Sequence, residues 1–240
     1  MKRYLMILAS LAACTDEAGG EAEPPRAEVT AFVRGRLAGS LTDANALHDQ
    51  IAAGGHPTAT SLGDLGHGVF LGTGDTGRPA DEFVALDQWT TAEGATMLYG
   101  DPNFQAGFSQ LFAEPVMPAL YQRAHDWHQW GDLPSQDDST PVWIMVVRGK
   151  LRSTNLEENR AAHDRVAAGF QAQAEAAGDI AHVPHIDVND PRMFFNIDVA
   201  TSREAHLATL QNPQFGEAFG ALFEGQPDVA IYRSTDWYQW

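Results

Sequence analysis

Apolar and polar positions along the chain alternate between two periods, and the boundaries between them outline a regular series of elements. Ala31 to Leu37 and Val142 to Leu151 read as strands. So do Leu65 to Leu71, Ile180 to Asp187, Phe83 to Trp89 and Met193 to Val199. Asp43 to Ala53 and Leu156 to Ala177 read as helices; in the second, Asn159, His163, Val166 and Phe170 recur at helical spacing. Further helices are expected from about Thr91 to Phe112 and from Ser202 to Phe223, each broken or kinked by its proline, Pro102 or Pro213. Last strands are expected over Ala119 to Trp130 and Val229 to Trp240. Asn189-Asp190-Pro191 signals a turn, and Gly72 to Pro79 a longer glycine-rich loop.

This pattern is written twice. Asp126-Trp127-His128-Gln129-Trp130 returns as Asp236-Trp237-Tyr238-Gln239-Trp240. Asp101-Pro102-Asn103-Phe104 returns as Asn212-Pro213-Gln214-Phe215, and Leu47-His48-Asp49 as Ala162-His163-Asp164. Gly63-Asp64 with His67 returns as Gly178-Asp179 with His182, Asp87 as Asp198, and Val33-Arg34-Gly35-Arg36-Leu37 as Val147-Arg148-Gly149-Lys150-Leu151. The offset is 114 at the first strands (33 to 147), 115 at the first helices (48 to 163) and 110 at the pentapeptides (126 to 236), drifting only where loops absorb it. Six blocks in one order establish an internal duplication. Residues 29–131 form the first repeat, 141–240 the second, and 132–140, with Pro134 and several Asp and Ser, the linker.

Each repeat runs strand, helix, strand, strand, helix, strand, the split βαβ or ferredoxin-like order. One such sheet has a helix-covered face and a bare face that something must bury. A second repeat in the same chain supplies the cover. The predicted fold is therefore α+β: two ferredoxin-like βαββαβ repeats packed sheet to sheet, a barrel formed within one chain.

In element order and duplication, Val29 to Trp240 resembles the dimeric α/β-barrel superfamily, which includes antibiotic-biosynthesis-monooxygenase-like, EthD-like and haem-degrading proteins. The resemblance implies the barrel. Its haem-degrading branch combines an Asn on the first strand, a Trp near the end of the third and a His on the second helix. Here neither first strand has Asn, Trp89 is matched by Ala200 and His206 by Ala95, so the set is incomplete in each half. Other members are cofactor-free oxygenases without a linear signature. No cofactor is expected.

Before the repeats, residues 1–13 combine Lys2 and Arg3 with a short apolar run and a small-residue stretch, the pattern of a secretory signal. Leu11-Ala12-Ala13-Cys14 resembles a bacterial lipobox. Cys14 is the only cysteine, so no disulfide can form within the chain; the lipobox resemblance implies that it becomes an acylated N-terminus. Residues 14–28, rich in Gly, Ala, Glu and Pro, are too poor in large apolar groups to order themselves and read as a tether. The expected address is the bacterial envelope, membrane-anchored and facing the periplasm or exterior.

With 44% apolar residues, 240 residues can bury a sizeable core. A formal charge of −17 argues against nucleic acid, whose phosphates require clustered Lys and Arg. No HExxH or paired Cys supports a metal site, and no GxSxG, Walker loop or dinucleotide fingerprint is present in context.

The chemistry-bearing candidates lie in the repeated blocks. His48 borders the apolar stripe of its helix and His67 lies on an apolar strand face; the fold brings that helix onto that strand. His48 with His67, and His163 with His182, are candidate acid–base pairs or metal ligands, or hydrogen-bonded core imidazoles. On a continued strand, Asp126, His128 and Trp130 share one face and Trp127 the other, as do Asp236, Tyr238 and Trp240 against Trp237. Together with Trp89 these Trp could line a site for a planar ligand or plug the barrel ends; His128 is a candidate proton acceptor and Tyr238 a donor. Arg34 with Arg36, and Arg148 with Lys150, are expected to point between the sheets, with Asp87 and Asp198 as partners, either as ion pairs or as an anionic-ligand site. Three readings stay open: a lipid-anchored binder of a small, aromatic molecule; a cofactor-independent monooxygenase or isomerase; a non-catalytic protein-interaction component.

Overall fold

The structure, a computed structural model, describes residues 25–74, 78–133 and 141–240. The signal, Cys14 and most of the tether and linker lie outside the described residues. The first repeat comprises β1 (Val29–Arg36), α1 (Leu41–Ser61), β2 (Asp64–Gly72), β3 (Glu82–Trp89), α2 (Ala92–Gly100), α3 (Pro102–Phe108) and β4 (Ala119–Arg123). The second comprises β5 (Trp143–Lys150), α4 (Leu156–Ala177), β6 (Asp179–Asp187), β7 (Met193–Ala200), α5 (Arg203–Leu210), α6 (Pro213–Gly220) and β8 (Asp228–Ser234). The duplication extends to the helix caps. Ser40 and Asn155 cap α1 and α4, Thr91 and Ser202 cap α2 and α5, and Asp101 and Asn212 cap α3 and α6, each accepting from backbone N–H groups of the first turn. The prolines divide the second helical segments as expected, each becoming the first residue of the new helix, where its missing N–H costs nothing.

All eight strands close into one antiparallel barrel in the order β1-β3-β2-β8-β5-β7-β6-β4. The two seams between repeats are strand pairings: β2 with β8, and β4 with β6. The bare faces therefore meet inside a closed barrel, where Phe32, Phe70 and Val84 of the first half pack with Ile144, Phe195 and Tyr232 of the second. Each helical layer covers the outside of its own half over a separate apolar cluster. At Gly35 the long loop before β4 presses on β1: a Cβ there would stand 2.5 Å from Val116 and 2.7 Å from Phe112. Gly149 meets Phe223 in the same way.

Two expectations need correction. α1 continues beyond Ala53 to Ser61, through Gly54, Gly55 and Pro57. Ala59, fully buried against the first-half core, supplies tertiary packing that overrides weak local propensity. The last strands end at Arg123 and Ser234, so both Asp-Trp pentapeptides lie beyond them. No strand supports the face alternation expected within the pentapeptides.

Candidate functional site

β4 and β8 each leave their own half along a seam, and the pentapeptides that follow cross onto the other half. Trp127 packs against His163 and Phe194, ring centroids 5.0 and 5.8 Å away, and Trp237 against His48 and Phe83 at 5.3 and 5.8 Å. Trp130 lies flat on His182 at 4.5 Å and Trp240 on His67 at 4.6 Å. Backbone bonds fix both straps: His182 N–H donates to the Trp130 carbonyl (2.8 Å) and His67 N–H to that of Trp240 (2.7 Å). Each repeat thus supplies the cover for the histidines of the other.

Beneath each strap runs a buried chain of carboxylates and imidazoles. In the first half His48 of α1 and His67 of β2 meet Nε2 to Nε2 at 3.1 Å. Their ring planes differ by 15° and their centroids are 5.3 Å apart, so the rings lie edge to edge, nitrogen toward nitrogen. His48 Nδ1 lies 3.1 Å from Asp49 Oδ1, which also accepts the strap's Tyr238 N–H at 2.8 Å. His67 Nδ1 bonds Asp87 Oδ1 of β3, and the Tyr99 hydroxyl of α2 donates to Asp87 Oδ2. The second half repeats this: Asp164 to His163 (3.1 Å), His163 to His182 (3.1 Å), His182 to Asp198 (2.6 Å), with His128 N–H donating to Asp164 at 2.7 Å.

Geometry constrains the protons. Two imidazole nitrogens at 3.1 Å share one hydrogen: both protonated or both bare would repel. Each Nδ1 faces a carboxylate oxygen. Burial, then the neighbouring imidazole, pushes His48 and His163 down to about 4, keeping those rings neutral. The chain can therefore pass a proton between the half-exposed Asp49 and the buried Asp87 without moving a heavy atom. Beside it, burial and then the neighbouring carboxylate raise Asp64 and Asp179 to about 8, against backbone N–H bonds from Gly66 and Ala181. The Trp240 and Trp130 indoles lean toward these carboxyls, yet neither Nε1 makes a well-formed hydrogen bond.

Each chain borders a small cavity between its sheet and helices. The first, about 40 Å³, is lined by His48, His67, Asp64, Asp87, Tyr99 and Trp240 among apolar residues of α1, α2 and α3. The second, about 30 Å³, is lined by the equivalent His163, His182, Asp179, Asp198 and Trp130. In sequence, Leu210 stands where the first repeat has Tyr99, and Asn196 where it has Ala85; neither lines the second cavity, and the Asn196 amide lies 3.2 Å from His182 Nδ1.

The structure thus brings the predicted pairs His48–His67 and His163–His182 together and adds Asp87 and Asp198 to them. Tyr238 and His128 hold the straps instead: the Tyr238 hydroxyl is 2.9 Å from His56 Nδ1, and His128 Nε2 is 2.9 Å from Gln171 Oε1. Among the described residues no cluster of three His, Cys, Asp or Glu could hold a metal.

The expected pairing of the first-strand cations with Asp87 and Asp198 fails on register. Asp87 lies opposite Ala31 and Arg34 opposite Val84, and directly opposed residues share a face; Asp87 therefore points to the helices and Arg34 into the barrel. Asp198 opposite Met145 and Arg148 opposite Phe195 repeat the relation. Arg34 pairs with Asp228 at 2.7 Å, Arg36 with Asp81 at 2.9 Å and Lys150 with Glu224 at 3.6 Å. Arg148 lies over the rings of Phe32 and Tyr121. Trp89 is fully buried and lines neither cavity, nor does His206, which bonds the Trp143 carbonyl.

Sequence reasoning missed Tyr99, whose counterpart is Leu210 and which no repeat could flag. Asp49, Asp64, Asp164 and Asp179 were within its reach, since all four stand in duplicated blocks.

No family model and no curated protein matches the chain. Solved structures do. An anthrone oxidase-like protein superposes with a TM-score of 0.64 at 14% identity, covering 89% of this chain and 93% of that one. A monooxygenase candidate from Fusobacterium nucleatum gives 0.62 at 9% identity, covering 87% and 93%. A dye-decolorizing protein from V. cholerae gives 0.54 at 10%, covering 89% and 95%. At these identities the likeness is one of fold, and it agrees with the tandem barrel.

Proposed function

We propose that the chain is an acid–base enzyme acting on a small aromatic molecule with an acidic C–H or O–H, after the manner of cofactor-independent monooxygenases. One observation carries this reading: the hydrogen-bonded run Asp49–His48–His67–Asp87–Tyr99 connects the surface to an apolar cavity. A structural core has no need of five titratable groups in line, four of them buried at a cost. The substrate's proton passes to the His67–Asp87 pair, and a proton leaves through His48 to Asp49. Its bonding electrons stay on the substrate, as the carbanion or phenolate that dioxygen from solution oxidises. Tyr99, held above its ordinary value first by burial and then by the Asp87 charge, stays protonated and donates a hydrogen bond at the cavity floor. The names of two structural neighbours, anthrone oxidase-like and monooxygenase, lend this chemistry support.

The test is oxygen uptake with anthrone. We expect turnover by the unaltered chain and a loss of about a hundredfold or more in His67→Gln. Uptake that survives in the double variant His67→Gln with His182→Gln sinks the reading.

The enzyme's proposed place is the envelope, held by acyl chains on Cys14. Among the described residues no helix is long and apolar enough to cross a membrane. Cys14→Ser is expected to lose detergent partitioning; unchanged partitioning removes the anchor.

A further inference from the structure

We propose that the aromatic ligand is admitted to the N-terminal cavity alone, and that Gly55 and its counterpart Phe170 decide this. The inference rests on the reading above that small aromatic molecules enter these cavities, which at about 40 and 30 Å³ must open to take one, and it names which one and by what door.

Both cavities are roofed by a short helix. α3 presents Phe104 and Phe108, stacked 5.5 Å apart, and α6 presents Phe215 and Phe219, 5.0 Å apart. Neither roof contains a fully buried residue; Gln105 of α3 donates to the Tyr99 carbonyl at 2.8 Å, the α6 cap Asn212 donates to Gln173 of α4 at 3.0 Å, and ring contacts line the inner sides. The contacts differ. In the second half Phe170, on the far wall α4, meets Phe215 edge-on with centroids 5.4 Å apart at 84°. In the first half that wall position is Gly55, which has no ring to offer. Phe104 finds its edge-on partner in Tyr99 instead, 5.5 Å away at 84°, on α2, the helix from which α3 continues.

The roof of the second half is therefore latched across the cavity, from α6 to α4. The first roof has its edge-on ring pair on its own side only; toward α1 the Phe104 ring lies against Gly55, where an added Cβ would stand 3.5 Å from it, a contact with no second ring. Swinging α6 away from α4 breaks an aromatic pair; swinging α3 away from α1 breaks none at this position. The wall of the first half also carries Gly54, Gly55 and Pro57 inside α1, residues of low helix propensity. The unlatched cavity is also the one whose relay reaches Tyr99.

Resting burial does not separate the two sites, for Ala52 and Ala167, equivalent residues lining the two cavities, are each 7% exposed. The difference lies in opening, and thiol labelling reads opening. In a Cys14→Ser background, Ala52→Cys is expected to react with N-phenylmaleimide about tenfold faster than Ala167→Cys, the scale set by one aromatic pair. Adding Gly55→Phe is expected to slow the first, and Phe170→Gly to speed the second. Equal rates at the two sites, or a rate at Ala167→Cys that Phe170→Gly leaves unchanged, overturn the proposal. Should a cysteine variant fail to fold, amide exchange in the unaltered chain decides: α3 is expected to exchange about tenfold faster than α6, and equal exchange overturns it. Labelling needs no turnover, so a chain that labels as expected yet consumes no oxygen fails only the catalytic reading.

Discussion

The first and second halves carry one buried machine within two different walls. Asp49–His48–His67–Asp87 and Asp164–His163–His182–Asp198 agree in both central nitrogen–nitrogen distances, 3.1 Å, and in both strap bonds to the outer carboxylate. Around them Leu210 stands in place of Tyr99, Asn196 in place of Ala85 and Phe170 in place of Gly55. Between these extremes is a hydrogen bond kept with both partners exchanged: His56 with Tyr238 in one half, Gln171 with His128 in the other, each at 2.9 Å. That bond joins a wall helix to the strap of the other repeat, so any change on one side must be answered across the pseudo-twofold. Reciprocal cover holds the relay constant, while the cavity walls, which answer to their own half, have been free to diverge.

The severest way to break the comparison is to separate the halves. Residues 25–133 alone leave β2 and β4 without their seam partners and the His48 site without Trp237 and Trp240. Sedimentation is expected to show dimers or aggregates, the dimers formed by copies exchanging straps over one another's histidines. A monomer with a cooperative melt refutes intramolecular exchange.

Truncating one anchor is milder. Trp127→Ala and Trp237→Ala are each expected to cost about 3–5 kcal/mol, as for a large core aromatic. The distinguishing result is location: hydrogen exchange quickens in α4 for Trp127→Ala and in α1 for Trp237→Ala, the half opposite the substitution. Protection lost in the parent half contradicts the crossing. Smaller still is Tyr99→Phe, which removes one donor from buried Asp87 and is expected to cost about 1–3 kcal/mol. Leu210→Phe, with no hydrogen bond to lose, isolates the packing part; equal melting losses in the two variants show that the hydroxyl contributes nothing.

Acidity acts on both halves alike and is read against pH. His48 and His163 fall to about 4 in the fold from an ordinary 6.5, and burial also lowers His185 and His206. The folded state then binds fewer protons than the unfolded one, so these groups make stability rise with pH up to about 6.5. Asp64 and Asp179 do the opposite, because their folded values, raised to about 8, retain protons that the unfolded chain releases near 4. Above 6.5 these carboxyls continue to titrate, and their contribution to stability is expected to fall until about pH 8. Asp64→Asn with Asp179→Asn, which copies the protonated form, should flatten the melting temperature between those two values; a fall that persists assigns it elsewhere.

Much of this was open to reading in one dimension. Duplicated blocks gave two ferredoxin-like repeats, and a bare sheet face required a partner. The placing of His48 on a helix stripe and His67 on the strand beneath it foretold their contact. The caps at Asp101 and Asn212, and the breaks at Pro102 and Pro213, follow from local backbone chemistry alone.

Tertiary structure decided the rest, because periodicity states which face a side chain takes and is silent on what stands opposite. Arg34 was rightly sent into the barrel, but only the β1–β3 register reveals that Asp87 points the other way. The pentapeptides looked like strand ends since Asp, Trp and Gln alternate well; the seams end the strands early and carry both straps across. Tyr99 left no mark in the repeat and acquires its meaning from α2 bringing its hydroxyl to Asp87. Local sequence thus determined the elements and their faces, whose causes act within a few residues. Partners across the barrel were chosen by strand register and closure, which depend on the whole chain at once.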